Sequence, residues 1–257
     1  MSVLSRIFSL SFALLFFATS CQGEDNFRKV AESFMDTPYG ASLLEKSGEP
    51  MTVRLDSVDC MTFVESVLAA RLLGELPDAS SEEYVRTLEK IRYRNGHRDG
   101  YVSRLHYSTE WIDDNIKKGI LKDVSQDYSS AYGRKNINFM SRHHKLYPMI
   151  MEDTSVVSRL VEIEKRISLL SYPFISKDRV QEIAGSLEDG DIVMFMTDIE
   201  CLDISHMGFV YFIDGTARLL HASSKYKKVC IDPKTLANYV KQSTHCTGIR
   251  VMRINLK

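Results

Sequence analysis

The stretch His206-Met207-Gly208-Phe209-Val210-Tyr211-Phe212-Ile213-Asp214-Gly215-Thr216-Ala217-Arg218-Leu219-Leu220-His221-Ala222-Ser223 holds two β-prone apolar runs around an Asp-Gly pair. Asp-Gly readily adopts the positive φ of a tight loop, so the spacing predicts a two-residue hairpin with Ile213 opposite Thr216. Counting back from the turn sets Gly208 opposite His221 and Met207 opposite Ala222. Side chains alternate between sheet faces, which leaves His206, Gly208 and His221 on one side. Two histidines that are diagonal neighbours supply the types needed for a base and for the group that holds its tautomer. The plainer alternative is two surface histidines that meet by chance.

Outward from the hairpin, the last third reads as β. Glu188-Asp189-Gly190 is a turn before a strand over 191–196, and residues 227–231 and 248–254 are further strands separated by a short helix opened by Asp232-Pro233. The first half is helical, with helices over 25–35, 60–73 and from Ser80-Ser81-Glu82-Glu83 toward Tyr93, and another over 154–170. In the helix over 60–73, Val64, Val67, Leu68 and Leu72 recur at three and four, Asp59 is placed as N-cap and Gly74 lies just beyond. Residues 51–55 are β-prone. With no repeat or linker, the expectation is one α+β domain, N-terminal helices packed on an antiparallel sheet, over 21–257.

The 257 residues are 44% hydrophobic and 26% charged, which excludes a disordered chain. Thirty-three Lys+Arg against thirty-four Asp+Glu give a net charge of -1, so no overall field recommends nucleic acid or an anionic membrane as partner. Residues 1–20 read as an export signal: Arg6, an apolar run from Ile7 to Phe17, then Ala18-Thr19-Ser20 before Cys21. Small residues before a cysteine resemble a bacterial lipobox, which makes Cys21 a candidate lipid anchor. The alternative is a soluble periplasmic form.

Four other cysteines remain, Cys60, Cys201, Cys230 and Cys246, and four permit three complete disulfide pairings. Cys60 stands apart because the first turn of a helix offers free amides and a positive dipole end, both of which favour thiolate. It is a candidate nucleophile, with a buried core cysteine as the alternative.

Asp59-Cys60-Met61-Thr62-Phe63-Val64, Asp189-Gly190-Asp191, Ser205-His206-Met207-Gly208-Phe209-Val210-Tyr211 and Leu220-His221-Ala222-Ser223 resemble, in that order, the motifs of the NlpC-type papain-like cell-wall cysteine hydrolases. Thr37-Pro38-Tyr39-Gly40 is similar to an upstream segment of the same family. The resemblance implies a Cys60 nucleophile, a His206 base, His221 as orienting residue, and Tyr39 at the oxyanion site. No cofactor is implied. Met61-Thr62 departs from the family's usual Asp-Cys-Ser-Gly. That serine holds the free amino end of the substrate in members that cut between D-glutamate and diaminopimelate, so the departure points away from such an endopeptidase.

The fuller pattern, with Gly100-Tyr101-Val102-Ser103-Arg104-Leu105-His106-Tyr107 and Phe139-Met140-Ser141-Arg142-His143-His144, resembles a narrower N-acetylmuramoyl-L-alanine amidase-like branch. It implies peptidoglycan fragments, 1,6-anhydro-muropeptides among them, as substrates. The middle segment, about 92–151, holds four of the seven histidines and the single tryptophan, a texture that suits a groove. Asp59, Arg104, His106, Tyr107, Trp111, Arg142 and His143 are the expected substrate contacts, by carboxylate binding and sugar stacking. No metal site is expected, since His143-His144 lacks further ligands at suitable spacing. The rival readings are the endopeptidase and a lipoprotein that binds muropeptides without cutting them.

Overall fold

The computed structural model describes residues 21–129, 131–153 and 155–256, apart from the side chains of 21–25 and 152. The export signal over 1–20 lies outside the described residues, and so does the Cys21 side chain. Seven strands form one antiparallel sheet: β1 (Leu121–Asp123), β2 (Ile175–Ser176), β3 (Ile192–Thr197), β4 (Ile204–Ile213), β5 (Thr216–Ser223), β6 (Lys228–Thr235) and β7 (Cys246–Ile254). Their order is β1-β7-β3-β4-β5-β6, with β2 also pairing β7. The β4–β5 hairpin pairs Ile213 with Thr216 and Phe209 with Leu220, the register that the Asp-Gly loop predicts. Asp214 and Gly215 both have positive φ, 48° and 73°.

Side chains alternate through the sheet. Ile192 and Met194 join the layer built by α1 (Cys21–Glu32), α2 (Cys60–Leu73), α3 (Glu82–Arg92) and α4 (Ser108–Lys117). Val193 and Phe195 face the opposite layer, which includes residues 180–187 and, from the α-helix Leu236–Gln242, Leu236 and Val240. A third apolar cluster joins the middle segment, through Tyr101, Tyr107, Ile137 and Met140, to α5 (Ser155–Ile167). The helix Leu236–Gln242 is α6.

Three expectations change. The apolar spacing of α2 implies one buried face, yet Thr62 through Arg71 are all buried. It is enclosed by neighbours, so its polar residues find partners: Glu65 pairs with Arg92 of α3 at 2.7 Å, and the Ser66 carbonyl accepts the Tyr84 hydroxyl. Residues 51–55 form no ladder; the Thr52 carbonyl instead accepts Arg92 Nη1 at 2.6 Å. Asp232-Pro233 opens no helix. It lies inside β6, an edge strand where the missing N–H of proline costs no ladder bond, and α6 starts after Thr235, whose hydroxyl accepts Asn238 N–H.

Gly208 decides how closely β4 approaches β5 beside the histidines. A Cβ built there would lie 2.7 Å from the Leu220 carbonyl oxygen and 2.9 Å from His221 Cβ. Both neighbours are fixed by the sheet, so the strands would have to part. Gly208→Ala should therefore lower the melting temperature and disturb both histidine side chains, checked by thermal unfolding and by histidine NMR shifts; wild-type values for both would refute this account of the glycine.

Candidate active site

Asp59 ends the preceding extended chain and caps α2. Its Oδ1 accepts Thr62 N–H at 2.7 Å while its own N–H donates to Thr62 Oγ1 at 2.9 Å, a reciprocal capping box that sets the helix start at Cys60. Thr62, which departs from the related motifs, thus has a structural use. Gly74 closes the far end with φ 73°. Tyr39 reaches the same place by a parallel bridge to Val58, reinforced by Gly40 N–H donating to the Val58 carbonyl at 3.0 Å.

His206 and His221 come together on the sheet face that α6 covers. His206 Nε2 lies 2.6 Å from His221 Nδ1, and the rings cross at 75°. Tyr239 of α6 packs edge-on against His221, with ring centroids 5.5 Å apart. A register shift between β3 and β4 pairs Phe195 with His206 but Met196 with Ile204, so Ser205 is the extra residue of a bulge directly before His206.

The backbone N–H of Met207, the residue next to His206, favours the Cys60 thiolate, and no hydrogen bond joins the Cys60 sulfur to His206 among the described residues. With Nε2 engaged by His221, Nδ1 is the nitrogen that His206 has left for a thiol. Burial, and after it the Asp59 carboxylate, push the Cys60 thiol up to about 12 against the pull of backbone amides. Burial likewise lowers His206 to about 3, with His221 contributing, and His221 to about 4. The helix start supplies the expected amides, but desolvation outweighs them and favours a thiol and two neutral imidazoles.

Two hollows are lined by residues of this site. The larger, about 470 Å³, is walled by the first turn of α2 (Asp59, Met61, Thr62) and by Arg104, His106 and Tyr107. The smaller, about 300 Å³, is walled by His206 and His221. The strip 197–203 borders both, with Ile199 on the histidine side and Leu202 and Asp203 on the other. That strip is gripped from the middle segment: Lys135 Nζ donates to the Thr197 and Ile199 carbonyls, and Asn138 N–H to the Cys201 carbonyl.

Of the expected contacts, Asp59, Arg104, His106 and Tyr107 reach the larger hollow. Arg104 is already ion-paired with Glu45 and Glu49, at 2.7 and 2.9 Å, so it is not a free carboxylate clamp. The Tyr107 hydroxyl donates to Glu164 and accepts Met140 N–H, each at 2.7 Å. Three residues lie elsewhere. Trp111 is wholly buried in the main core, where no sugar can stack. Arg142 is exposed, pairing with Glu200 at 2.6 Å and donating to Cys201 Sγ, so it braces the strip instead of lining a hollow. His143 is exposed and stacks on Phe139, its Nδ1 donating to the Phe139 carbonyl. Cys60, Cys201, Cys230 and Cys246 are free thiols. Sequence reasoning missed Glu45, Tyr147 and Asp203 in the larger hollow and Lys225 and Tyr239 near the smaller one. None of these has a local signal; Thr62, which also lines the larger hollow, has one in its three-residue spacing from Asp59.

A model of the N-acetylmuramoyl-L-alanine amidase-like family matches residues 29–249. The chain belongs to this family. An N-acetylmuramoyl-L-alanine amidase from Bacteroides uniformis, known as a crystal structure, is 36% identical, with a TM-score of 0.84 over 91% of this chain and 99% of that one. A Bacteroides fragilis structure provisionally named a xylanase is 37% identical, with a TM-score of 0.82 over 88% of this chain and 99% of the other. A Legionella pneumophila protein at 24% identity and a TM-score of 0.69, covering 91% and 89%, shares the fold. No curated protein matches the sequence. Family membership and fold agree with what the ordered motifs imply.

The raised thiol predicts the alkylation profile of the amidase-like chain. Iodoacetamide labelling of Cys60, followed by peptide mass spectrometry, should accelerate about tenfold per pH unit between pH 6 and 9, as the thiolate fraction does below its pKa. A rate already on a plateau at pH 6 would mean that a thiolate–imidazolium pair exists in the free protein.

Proposed function

We propose that this chain is an exported cysteine amidase that hydrolyses the bond between N-acetylmuramic acid and L-alanine in peptidoglycan fragments, 1,6-anhydro-muropeptides in particular. The observation that carries the reading is the 2.6 Å His206–His221 contact beside Cys60 at the capped start of α2, within a chain of this family. His206 Nδ1 takes the thiol proton as sulfur attacks the lactyl carbonyl carbon. The Cys60 N–H and the Tyr39 hydroxyl receive the developing oxyanion. The His206 imidazolium then protonates the departing alanine nitrogen, the C–N bond breaks, and water cleaves the thioester with His206 again as base. His221 holds the His206 tautomer. The reaction requires no cofactor.

The larger hollow suits a neutral, hydroxyl-bearing group. His106 Nε2 must donate to the Tyr101 carbonyl, 2.8 Å away, because a carbonyl only accepts; Nδ1 is then an acceptor, and burial, followed by Arg104, keeps the ring neutral. Glu45, Asp59 and Asp203 add further acceptors to the same walls. Such a surface favours sugar hydroxyls and an acetamido N–H over a carboxylate. Met61 places an apolar side chain where related endopeptidases carry the serine that holds a free amine.

Incubation with a defined 1,6-anhydro-muropeptide, read by mass spectrometry, should give the free sugar and a peptide beginning with L-alanine. The same peptide without sugar should be a poor substrate, xylan should be untouched, and Cys60→Ala should abolish turnover while the circular dichroism spectrum is retained. Cleavage within the stem at equal rates with and without the sugar would establish the endopeptidase instead, and tight muropeptide binding without turnover the binding protein.

Export and anchoring belong to the same proposal: the leader over 1–20 directs the chain out of the cytoplasm and Cys21 carries lipid, the chain's sole contact with the membrane. Cys21→Ser should move the protein from the membrane to the soluble fraction with kcat/KM preserved. A wild-type protein that is soluble with an unmodified Cys21 would refute the anchor.

A further inference from the structure

The smaller hollow has a chemistry of its own. We propose that it receives a carboxylate of the departing peptide and that Lys225 sets specificity for that charge, an inference that rests on the amidase reading above. Its described lining contains no Asp or Glu, whereas Glu45, Asp59, Glu65 and Asp203 all border the larger hollow. In a chain whose acidic and basic residues nearly balance, this is a local sorting of charge. Ser205, Ser223, Ser224 and Ser243 line the hollow together with Lys225.

Lys225 has no carboxylate partner among the described residues; its Nζ lies 5.2 Å from the Tyr226 ring centroid. Its neighbour Lys228, by contrast, is paired with Asp36 at 2.6 Å. His245, the other cation-capable residue beside His206 and His221, is held by Asp198 at 2.8 Å. An adjoining hollow of about 130 Å³ shares Lys225 and His221 and contains Asp232, whose Oδ1 accepts the Lys234 backbone N–H at 2.9 Å.

The second observation comes from the histidines. For His206 Nδ1 to accept a thiol proton, the ring must carry its hydrogen on Nε2 and donate it to His221 Nδ1. His221 then bears hydrogen on Nε2, and that atom is buried without a hydrogen-bond partner among the described residues, in a side chain that is 2% exposed and borders both hollows. An uncompensated N–H dipole therefore belongs to a side chain that lines the carboxylate-free hollow. A bound anion offsets it, and the same anion favours the imidazolium form that burial otherwise opposes.

The test uses the mature chain and two muramoyl peptides, one with free carboxylates and one with carboxamides in their place. Wild type should prefer the acid by about tenfold in kcat/KM, mostly through KM. Lys225→Met should bring the two substrates to equal kcat/KM, Lys225→Arg should restore the preference, and Lys225→Glu should reverse it. A preference intact in Lys225→Met overturns the inference and leaves the amidase reading standing. Should neither substrate release sugar, the amidase reading fails on its own, and calorimetry decides the inference separately. Titrated into Cys60→Ala, L-alanyl-D-glutamate should bind more tightly than its bis-carboxamide, and Cys60→Ala/Lys225→Met should lose the difference. Equal binding of the two dipeptides to Cys60→Ala overturns the inference.

Discussion

Glu65 and Arg92 form an ion pair with both side chains almost wholly buried, and the architecture around Cys60 hangs on it. The pair ties α2 to α3, and through Arg92 Nη1 it also ties both to the extended segment at Thr52. A helix enclosed on every side cannot leave a carboxylate unpaired: removing one partner of such a pair costs about 3–5 kcal/mol. Glu65 and Arg92 also border the larger hollow, so the contact that fixes the helix shapes the cavity beside Cys60.

Above that foundation the site is assembled from local devices with different tolerances. The capping box sets where α2 begins, the tight hairpin sets which way two histidines face, and the bulge at Ser205 reorients the strand just before one of them. Burial then disfavours charge on all three groups. A thiol and two imidazoles without charge need no ion pair in a dry site.

What was legible in the sequence follows from how far each determinant reaches. Asp214-Gly215 specifies its loop within two residues, so the register of β4 and β5 could be counted before any coordinates. Asp59 and Gly74 bracket α2 by side-chain and backbone chemistry within one turn. Trp111 illustrates the opposite case: aromatic residues suit grooves and cores alike, and only the packing of α4 against the sheet layer decides between them. Arg104 finds Glu45 and Glu49 across a long stretch of chain, which no local pattern announces. The Cys60 thiol shows both kinds at once, since its amides were predictable from position while its desolvation depends on everything packed around it.

The grip of Lys135 and Asn138 on the strip at 197–203 has a consequence for inheritance and for engineering. The partition between the two hollows is owned jointly by distant parts of the chain, so neither part is a module that can be exchanged alone. Grafting a relative's loop at 197–203 without its middle segment would strip the ammonium of its acceptor carbonyls and leave the partition unsupported. Substrate range in this scaffold should therefore diverge by paired changes in the two segments, and a designer would have to transplant them as one unit.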